Sequence, residues 1–485
     1  MTVAVPLRDL LAGMTDPSAA GSTAVAGVAL DSRRVVEGDL FLACPGTVLD
    51  GRSFINQALA RGAAAIAYEA QGFEGVAPGV PAVPVAGLAA RVSEIGARFY
   101  GRPSAALHVI GVTGTNGKTS CVHFLAQCLE HLGARVRMIG TLGSGEVGHP
   151  DAGGGLTTPG PLDLQRLLRE YADQGVTHVV MEVSSHALRQ GRVSAVQFGA
   201  AVFTNLTRDH LDYHGDIDDY AQAKKSLFRY DSLRFIAANA DDSVGRQILA
   251  DAAVPAVSFG DQGDVSASEL QVGETGLSMR IAGLGRPLQI SVDLVGRVNA
   301  SNVLAVAAVL GRMDYEPAAV EAALNRLSPV PGRMELFRSR GAGPTAVVDY
   351  AHTPDALARA LQSVREHCRG ELWCVFGCGG DRDRGKRPEM GRIAEKWADR
   401  VVLSNDNPRS EQPARIVADI LGGMSGEPQI ILDRRRAIAE VLVAARRDDW
   451  VLIAGKGHET TQTIGERVIP FDDREVVSTC LGKAA

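Results

Sequence analysis

The chain has 485 residues, of which 45% are hydrophobic and 22% charged, and its formal net charge is -6. That length exceeds one ordinary domain, and the apolar content suffices for a core in each of several domains. Because the chain has no excess of basic residues, we do not expect nucleic acid or an anionic membrane to be its partner.

The first residues lack a charged region followed by an apolar run, and no stretch approaches about eighteen uninterrupted apolar residues. We therefore expect a cytoplasmic protein without membrane insertion. The seven cysteines are odd in number and scattered, which favours reduced thiols. Cys374 and Cys378 are spaced as a metal pair can be, but no second pair or histidine completes a site, so packing is the favoured interpretation.

The first domain is predicted to span residues 1–103 and to alternate short strands with helices. Apolar runs at 25–30, 39–43 and 63–68 are broken by turns, and a Gly/Pro/Val-rich stretch follows at 71–87. A Gly-Arg-Pro sequence at 101–103 marks the expected boundary.

A glycine-rich loop opens the second domain, which is predicted to span 104–332. The loop is flanked by a predicted strand and a predicted helix, the context of a phosphate-binding loop. Its glycines allow backbone N–H groups to approach phosphates, Lys118 can reach the β- and γ-phosphates, and the Thr119 hydroxyl can face a magnesium ion. Val112 stands where the strict spacing has glycine, which indicates a loop variant. The loop residues are Gly111, Val112, Thr113, Gly114, Thr115, Asn116, Gly117, Lys118, Thr119 and Ser120.

Strands predicted at 177–183, 200–206 and 234–239 alternate with helices, which indicates a mostly parallel, doubly wound sheet. A small antiparallel insertion is predicted at 255–295 and a helix at 299–313. In such sheets ligands bind beyond the carboxyl ends of the strands, where the glycine loop, Glu182 and the segment 205–210 all fall.

The sequence leaves the roles of three residues open: Glu182, His210 and Lys224. Glu182 is either a magnesium ligand or an acid that caps the helix beginning near Ser184. His210 is either a ligand or a packed histidine. Lys224 lies in a helical run, where a solvated surface charge is the ordinary interpretation of a lysine.

The third domain, predicted over 333–485, has a second α/β pattern that is Rossmann-like but lacks the Gly-x-Gly-x-x-Gly turn. Strands are predicted at 345–350, 372–377, 400–404, 429–433 and 450–454, and helices at 355–368, 388–398 and 435–447. The fold class is therefore α/β with three domains.

Two loops of the third domain each follow a predicted strand, so we expect them to share one crevice. They are Asp-Asn-Pro-Arg at 406–409 and Gly-Lys-Gly-His-Glu at 455–459. Arg409 can bind a carboxylate bidentately and Glu459 an ammonium, so a crevice that also holds Arg382 suits a zwitterion. The segment 381–387 alternates in charge and is predicted as a solvated loop.

Seven segments together resemble the Mur ligases, and within that family the members that add the third amino acid in peptidoglycan synthesis. They are Gly-Val-Thr-Gly-Thr-Asn-Gly-Lys-Thr from 111, Met-Glu-Val-Ser-Ser-His from 181, Thr-Asn-Leu-Thr-Arg-Asp-His-Leu-Asp-Tyr-His-Gly from 204, Pro-Gly-Arg-Met-Glu from 331, Val-Asp-Tyr-Ala-His-Thr-Pro-Asp-Ala-Leu from 348, Gly-Cys-Gly-Gly-Asp-Arg-Asp-Arg-Gly-Lys-Arg-Pro from 377 and Ala-Gly-Lys-Gly-His-Glu from 454. The resemblance covers nearly the whole chain in order.

The resemblance implies ATP-dependent addition of meso-2,6-diaminopimelate to the D-glutamate of UDP-N-acetylmuramoyl-L-alanyl-D-glutamate through an acyl phosphate. It implies Mg²⁺ as cofactor, ATP as co-substrate, small-molecule partners and a monomer. It also implies a UDP-substrate-binding first domain, an ATP-binding second domain and an amino-acid-binding third domain, which close on one another during the reaction.

The resemblance also implies which residues of this chain bind each ligand, at the positions that match the family's motifs. For ATP they are the loop residues with Asn299, Asn302, Arg333 and Asp349. For the UDP substrate they are Leu30, Ser32, Thr47, Thr157, Thr158, Ser184, Gln190 and Arg192. For diaminopimelate they are Arg382, Asp406, Asn407, Pro408, Arg409, Gly455 and Glu459. For magnesium they are Thr119, Glu182, His210 and Lys224 as a carbamate (N6-carboxylysine), and for catalysis Lys118, Lys224, His210 and Arg333.

Three alternatives stay open: a lysine-adding Mur ligase, folylpolyglutamate synthetase, and a nucleotide-gated ATPase whose third domain engages a protein. The Asp-Asn-Pro-Arg turn and the UDP-type first domain argue against the first two. The third predicts ATP hydrolysis stimulated by a macromolecule, whereas a ligase releases phosphate only with its acid and amine substrates.

Overall fold

The computed structural model describes residues 4–15, 21–46, 49–73, 79–151, 155–273, 276–339, 341 and 343–482. The chain divides into two compact units, residues 1–258 and 259–485. The three domains expected at 1–103, 104–332 and 333–485 stay a prediction. Among the helices of these described ranges, none is long and apolar enough to cross a membrane.

The first strands and helices form a small α/β layer, as predicted. They are β1 (Val5–Pro6), α1 (Leu7–Leu11), β2 (Ala24–Val25), β3 (Gly27–Ala29), β4 (Asp39–Ala43), α2 (Ile55–Ala60), β5 (Ala65–Glu69), β6 (Ala82–Val85) and α3 (Leu88–Phe99). β1 and β2 pair antiparallel, and a parallel sheet runs in the order β3-β4-β5-β6. Both faces of β4 are covered, because Leu40 and Leu42 pack in one apolar cluster while Phe41 packs in another.

A larger sheet follows, and its elements alternate as the sequence predicts. They are β7 (His108–Thr113), α4 (Lys118–His131), β8 (Val136–Gly140), β9 (Gly143–Glu146), β10 (His149–Asp151), α5 (Pro161–Asp173), β11 (His178–Glu182), α6 (Ser185–Arg189), β12 (Phe198–Phe203), α7 (Leu211–His214), α8 (Ile217–Lys225), β13 (Phe235–Asn239), α9 (Ser243–Ala250) and β14 (Ala256–Phe259). The strand order is β10-β9-β8-β11-β7-β12-β13-β14. β8, β11, β7, β12 and β13 are parallel, and β9 and β10 form an antiparallel edge.

The register of the central strands explains why polar residues gather at one edge. Val112 of β7 lies opposite Glu182 of β11, and Thr113 lies opposite Phe203 of β12. The three parallel strands therefore end level with one another, and the segments that follow them emerge side by side. This edge is where ligands bind in open α/β sheets.

The second unit begins with an antiparallel layer, which confirms the predicted insertion. It consists of β15 (Ser266–Gly273), β16 (Gly276–Ala282) and β17 (Leu288–Val292), followed by α10 (Arg297–Arg312) and α11 (Pro317–Leu324). α10 begins two residues before the predicted helix, directly after Gly296, whose φ of 83° breaks the preceding chain direction.

The predicted second α/β sheet is present and is covered on both faces. Its elements are β18 (Glu335–Arg338), β19 (Thr345–Asp349), α12 (Pro354–Arg365), β20 (Leu372–Phe376), α13 (Lys386–Trp397), β21 (Arg400–Leu403), α14 (Pro413–Leu421), β22 (Gln429–Ile430), α15 (Arg434–Ala444), β23 (Trp450–Ala454), β24 (Thr461–Ile464), β25 (Arg467–Pro470) and α16 (Asp473–Cys480). The order is β18-β19-β23-β20-β21-β22, and β24 and β25 form a separate antiparallel pair.

In this sheet one predicted strand is shorter than expected, and two cysteines pack in the core. The strand expected at 429–433 is shorter, because β22 is an edge strand and Asp433 already accepts a hydrogen bond from the backbone N–H of Arg436 as the cap of α15. The packing role of Cys374 and Cys378 is confirmed: both are buried, and the Cys378 thiol contacts Met390 Sδ at 3.7 Å.

Candidate active site

The glycine loop turns sharply from β7 into α4, whose first residue is Lys118. Gly111 and Val112 lie inside β7, so the turn proper begins at Gly114. Gly114 has a φ of 148°, and a Cβ at this position would lie 1.9 Å from Thr204 Oγ1, a clash that only glycine avoids. Gly117, with φ of 83°, then leads into the helix. The start of a long helix is thus exposed to the loop, an arrangement that favours a bound anion.

The segment after β12 holds this loop in place through its polar groups. Thr204 Oγ1 donates to the Asn116 carbonyl at 2.6 Å. Asn205 accepts hydrogen bonds from the backbone N–H of Thr115 at 2.7 Å and of Asn116 at 3.0 Å. The sequence placed segment 205–210 at this edge but did not identify Asn205 as the residue that shapes the loop. Its position at a strand end next to a glycine loop is the signal that points to it.

Two lysines meet at the loop. Lys118 Nζ donates to the carbonyl oxygens of Gly114 and Thr115, both at 2.9 Å, and Lys224 Nζ donates to Gly114 at 2.8 Å. Lys224 is only 1% exposed, so the surface-charge interpretation of this lysine is wrong. Burial lowers the pKa of Lys224 well below its ordinary value, and the charge of Lys118 lowers it further.

The ring of Tyr220 lies near both Lys224 and His210. The Tyr220 ring lies 4.4 Å from Lys224 Nζ and 6.1 Å from the ring of His210. His210 has a φ of 52°, and 49% of its side chain is exposed. The buried histidine of this segment is His214, whose Nε2 lies 3.0 Å from Ser185 Oγ. The half-exposed His210 is therefore the one that a ligand can reach.

Glu182 is buried at the end of β11 and is held by two threonines. Its Oε1 accepts from Thr119 Oγ1 at 3.0 Å and from the Thr141 N–H at 2.8 Å, and its Oε2 accepts from Thr141 Oγ1 at 3.2 Å. The helix-capping interpretation of Glu182 is wrong, because Ser184 caps α6 by accepting from the Ala187 N–H. Thr141 is a supporting residue that the sequence did not reveal.

The donor set around Glu182 suits a hard cation. Thr119 offers a hydroxyl oxygen and Glu182 a carboxylate, the oxygen ligands that Mg²⁺ accepts beside substrate phosphates and water. Within the described part of the chain, no group of three or more His, Cys, Asp or Glu side chains is close enough together to hold a metal ion. The protein side of such a site therefore fits a magnesium ion shared with a bound nucleotide.

The residues expected to contact the muramoyl-dipeptide form a hydrogen-bonded group beside Glu182. Thr158 Oγ1 donates to the Glu182 carbonyl at 2.9 Å and accepts from the Ser184 N–H at 3.0 Å. Arg192 donates to the Thr158 carbonyl at 3.0 Å and to Gln190 Oε1 at 2.8 Å. Thr157 joins them through Thr141 Oγ1 at 3.1 Å. The structure thus brings together the predicted residues that follow β10 and β11.

The predicted UDP contacts are Leu30, Ser32 and Thr47. Leu30 lines a cavity of about 150 Å³ that is also bounded by Tyr100 and Arg166. Ser32 Oγ donates to Gln57 Oε1 at 2.6 Å. Thr47, the remaining residue of this prediction, lies outside the described residues.

In the second unit, the predicted nucleotide contacts fall into two places. Asn299 and Asn302 are buried on α10, where Asn302 Nδ2 donates to Asn299 Oδ1 at 3.1 Å. The Arg333 guanidinium lies 4.4 Å above the ring of Tyr350. Asp349 accepts the backbone N–H groups of Met334 and Ala351, and burial raises the pKa of its carboxyl group.

The two loops expected to share a crevice are joined directly. Asn407 Nδ2 donates to Glu459 Oε2 at 2.8 Å. Gly455, with φ of 119°, packs so closely that a Cβ would lie 2.6 Å from Asp406 Oδ2. Burial raises the pKa of Asp406. Lys456, which the sequence did not identify as a site residue, donates to the same oxygen of Glu459 at 2.9 Å. The predicted grouping of these loops is confirmed.

Arg409 and Arg382 border this pair of loops. Arg409 has a φ of 50°, and its Nη1 donates to the Gly380 carbonyl at 2.8 Å. The Gly380 N–H in turn donates to the Asn407 carbonyl at 2.9 Å, so the segment after β20 is attached to the Asp-Asn-Pro-Arg turn. Pro408 lies within that turn and is buried, whereas the Arg382 side chain is exposed.

The prediction that 381–387 is a solvated loop fails at its last two residues, which begin α13. Arg387 is fully buried, donates to both carboxylate oxygens of Glu411 at 2.9 and 3.1 Å, and donates to Asp419 Oδ2 at 2.8 Å. It also donates to the Gly379 carbonyl at 3.1 Å. A buried guanidinium needs such paired carboxylates, and here the pairing anchors the loop that carries Arg382.

Three parts of the chain match Mur ligase families. Residues 24–100 match the Mur ligase family catalytic domain, 112–310 the Mur ligase middle domain, and 332–457 the Mur ligase glutamate ligase domain. The matches follow one another along the chain in the order of the elements described above.

Curated relatives and a solved structure cover nearly the full chain. The UDP-N-acetylmuramoyl-L-alanyl-D-glutamate–2,6-diaminopimelate ligase of Coxiella burnetii is 46% identical over 467 residues, which is 93% of this chain and 94% of the relative. The ligase of that name from Ectopseudomonas mendocina is 47% identical, over 97% of this chain and 96% of its own. A solved structure of a ligase of that name is 33% identical, covers 99% of each chain and has a TM-score of 0.74. This chain therefore belongs to the Mur ligase family of ATP-dependent ligases.

Proposed function

We propose that this Mur ligase joins meso-2,6-diaminopimelate to the side-chain carboxylate of D-glutamate in UDP-N-acetylmuramoyl-L-alanyl-D-glutamate, with ATP as co-substrate. The observation that carries the proposal is the hydrogen bond between Asn407 Nδ2 and Glu459 Oε2. It joins two loops into one cradle that offers a carboxylate for an ammonium and, at Arg409, a guanidinium for a carboxylate. The names of the full-length relatives support the same substrate.

The phosphate end of the reaction is assigned to the loop between β7 and α4. Lys118, at the start of α4 beside the loop, would neutralise charge on the transferring phosphoryl group, and the N-terminus of α4 would bind the phosphate oxygens. Thr119 and Glu182 would hold Mg²⁺, with His210 as the further ligand that the resemblance supplies. A bound Mg²⁺ supplies electrostatic neutralisation of the phosphates.

Lys224 is assigned a carbamate in this proposal. Only a neutral amine adds to CO₂, and burial beside Lys118 favours the neutral form of Lys224. The amine nitrogen forms a bond to the carbon of CO₂ and releases one proton, which leaves a carboxylate-like group. The neutral buried amine thereby becomes an anion suited to the neighbourhood of a metal ion.

The proposed reaction has two chemical steps, phosphoryl transfer and amide formation. The γ-phosphoryl group of ATP passes to the D-glutamate side-chain carboxylate, which gives ADP and an acyl phosphate. The amine of diaminopimelate attacks the acyl carbon, the tetrahedral intermediate expels phosphate as its C–O bond breaks, and the amine loses a proton to solvent. Positioning and electrostatics account for most of the catalysis in such transfers.

The substrate assignments follow the groups seen in each unit. The residues proposed to bind the muramoyl-dipeptide form one hydrogen-bonded group beside Glu182, and they are Thr157, Thr158, Ser184, Gln190 and Arg192. Leu30, Ser32 and Thr47 are proposed to bind the UDP end. Asn299, Asn302, Arg333 and Asp349 are proposed to bind the nucleotide. The three domain boundaries and a monomeric state belong to the same proposal.

A phosphate-release assay tests the function. The purified chain, ATP, Mg²⁺ and the UDP-linked dipeptide are combined in turn with diaminopimelate, lysine or glutamate. Release with diaminopimelate, and formation of the tripeptide product by mass spectrometry, is the expected result. Preference for lysine would establish the lysine-adding alternative, and release with glutamate only when a folate replaces the UDP-linked dipeptide would favour a folylpolyglutamate synthetase. Hydrolysis that needs no amino acid would point to a nucleotide-gated ATPase.

A further inference from the structure

Lys456 belongs to the second loop of the candidate amino-acid site, at 455–459, and its side chain bonds to Asn407 of the first, yet the proposed chemistry gives it no role. It lies two residues after the end of β23, beyond Gly455, and its side chain is 0% exposed. Lysine is almost never fully buried unless its charge is paired. The reason for its burial must therefore lie in its partners.

The ammonium group of Lys456 has a complete set of acceptors. Its Nζ donates to Glu459 Oε2 at 2.9 Å, to the Thr461 carbonyl at 2.7 Å and to Asn407 Oδ1 at 3.3 Å. An ammonium has three hydrogens and no acceptor capacity, so this set satisfies it. Since one partner is a backbone carbonyl, the lysine is fixed in place.

Lys456 determines the orientation of the Asn407 amide. Asn407 Oδ1 accepts from Lys456 and also from the Thr463 N–H at 2.9 Å. With its oxygen held by two donors, the amide must turn its Nδ2 toward Glu459, to which it donates. The reversed amide would place two hydrogens against an ammonium and an N–H group.

The same contacts orient Glu459. Lys456 and Asn407 both donate to its Oε2. Among the described residues no hydrogen bond reaches Oε1, and 32% of the Glu459 side chain is exposed. Oε1 is therefore the oxygen presented to a ligand. Burial alone would raise the pKa of Glu459, but the charge and hydrogen bond of Lys456 hold that pKa below its usual value.

We infer that Lys456 is a positioning residue of the amino-acid site, which holds Asn407 and Glu459 in the orientation that receives the ammonium group of a zwitterionic substrate. The inference rests on the proposed function and deepens it, because it identifies how the carboxylate is kept ionised and aimed. Lys456 does not touch the substrate itself, since its three donors are already engaged.

The test compares two substitutions of this lysine. Lys456→Met keeps the length of the side chain and removes its charge and donors. We expect the KM for diaminopimelate to rise on the order of ten- to a hundredfold, the loss typical of a charge-assisted hydrogen bond, while the KM for ATP changes by less than about twofold. The acid limb of kcat/KM for diaminopimelate should move to higher pH. Lys456→Arg keeps the charge, so it should raise KM and leave the acid limb in place.

A matched control and a double substitution separate positioning from general damage. Lys396→Met changes an exposed lysine of α13 and should leave both KM values unchanged. In a Glu459→Gln background, Lys456→Met should add little to KM, because the two residues act as one unit. Additive effects, an unmoved acid limb or a parallel rise in both KM values would overturn the inference.

Failure of the inference is distinguishable from failure of the proposed function. If the unaltered protein releases no phosphate with diaminopimelate, the proposed function is wrong and the inference falls with it. If the unaltered protein is active and Lys456→Met keeps a normal KM, only the inference is overturned. Circular dichroism shows whether Lys456→Met folds, and if it does not, the KM and acid limb of Lys456→Arg decide the question.

Discussion

Lys118 and Lys224 donate hydrogen bonds to one acceptor, the carbonyl oxygen of Gly114, at 2.9 and 2.8 Å. Two cations that close to each other repel, and the repulsion is resolved at the more deeply buried one. Burial first, and then the charge of Lys118, lower the pKa of Lys224 well below its ordinary value. The two lysines therefore differ: burial beside Lys118 favours the neutral amine of Lys224, and the proposed function assigns the phosphates to Lys118.

Lys118→Ala should reduce ligase turnover by about a hundredfold or more, because it removes the charge that the proposed function assigns to the transferring phosphoryl group. Phosphate release with all three substrates measures the effect. Lys225→Ala is the matched control, since Lys225 lies beside Lys224 in sequence but bonds to Gln247. Near-normal turnover of Lys118→Ala would show that this loop does not handle the phosphoryl group.

Lys224 should form a carbamate in bicarbonate buffer. Because its pKa is lowered, the reactive neutral amine persists at pH values where an exposed lysine is protonated, and it is lost as the pH falls through that lowered pKa. The measurement is a carbamate carbon signal by NMR after incubation with ¹³C-labelled bicarbonate, decreasing toward acid pH. Lys224→Arg should lack the signal. A spectrum identical in the two proteins would remove the carbamate assignment.

The parts of the fold that could be predicted are those with strong local periodicity. The parallel strands, the antiparallel insertion and the glycine loop follow from apolar patterns and turn residues near each other in sequence. The burial of Lys224 could not be predicted. Its side chain bonds to Gly114, which is 110 residues away in sequence, and a local sequence pattern does not reveal such a long-range contact.

Supporting residues escaped prediction for a related reason. Asn205, Thr141, Lys456 and Arg387 are all ordinary polar residues by type, and their importance lies in the partners that the fold brings to them. The residues that carry the resemblance were found because whole motifs surround them. Lys456 lies inside such a motif, but the motif does not show that its side chain points into the protein and toward Glu459.

Arg409→Ala should raise the KM for diaminopimelate about ten- to a hundredfold and leave the KM for ATP nearly unchanged. Within the described residues its guanidinium makes one hydrogen bond, to the Gly380 carbonyl, so most of its five N–H donors remain for a carboxylate. Steady-state kinetics with each substrate varied in turn measures the difference. Arg415→Ala, an exposed arginine of α14, serves as the control. Equal rises in both KM values would contradict the carboxylate role.

Gly332→Ala should lower both stability and turnover. Gly332 has a φ of 65°, and a Cβ there would lie 2.1 Å from the backbone nitrogen of His458. The residue after it is Arg333, and the residue after His458 is Glu459, so relief of the clash must displace one proposed contact or the other. Thermal unfolding and the KM values for ATP and diaminopimelate measure the effect.

Gly285→Ala is the matched control for that substitution. Gly285 has a φ of 78°, but a Cβ there would meet Pro317 Cγ at an ordinary 3.8 Å. It therefore carries the conformational penalty of a left-handed residue without the steric one. If the two variants lost the same stability and both kept normal kinetics, the close contact between Gly332 and His458 would have no role in the site.

Arg387→Met should remove a pH-dependent part of the stability. The hydrogen bonds and charge of Arg387 lower the pKa of Glu411 from 4.5 to about 2. A carboxyl group whose pKa is depressed by folding contributes stability above its unfolded pKa, and that contribution is lost as the pH falls toward the folded value. The unaltered protein should therefore lose stability between about pH 4.5 and pH 2 more steeply than Arg387→Met. Denaturant unfolding at a series of pH values compares the slopes, and parallel curves would show that Arg387 does not set the ionisation of Glu411.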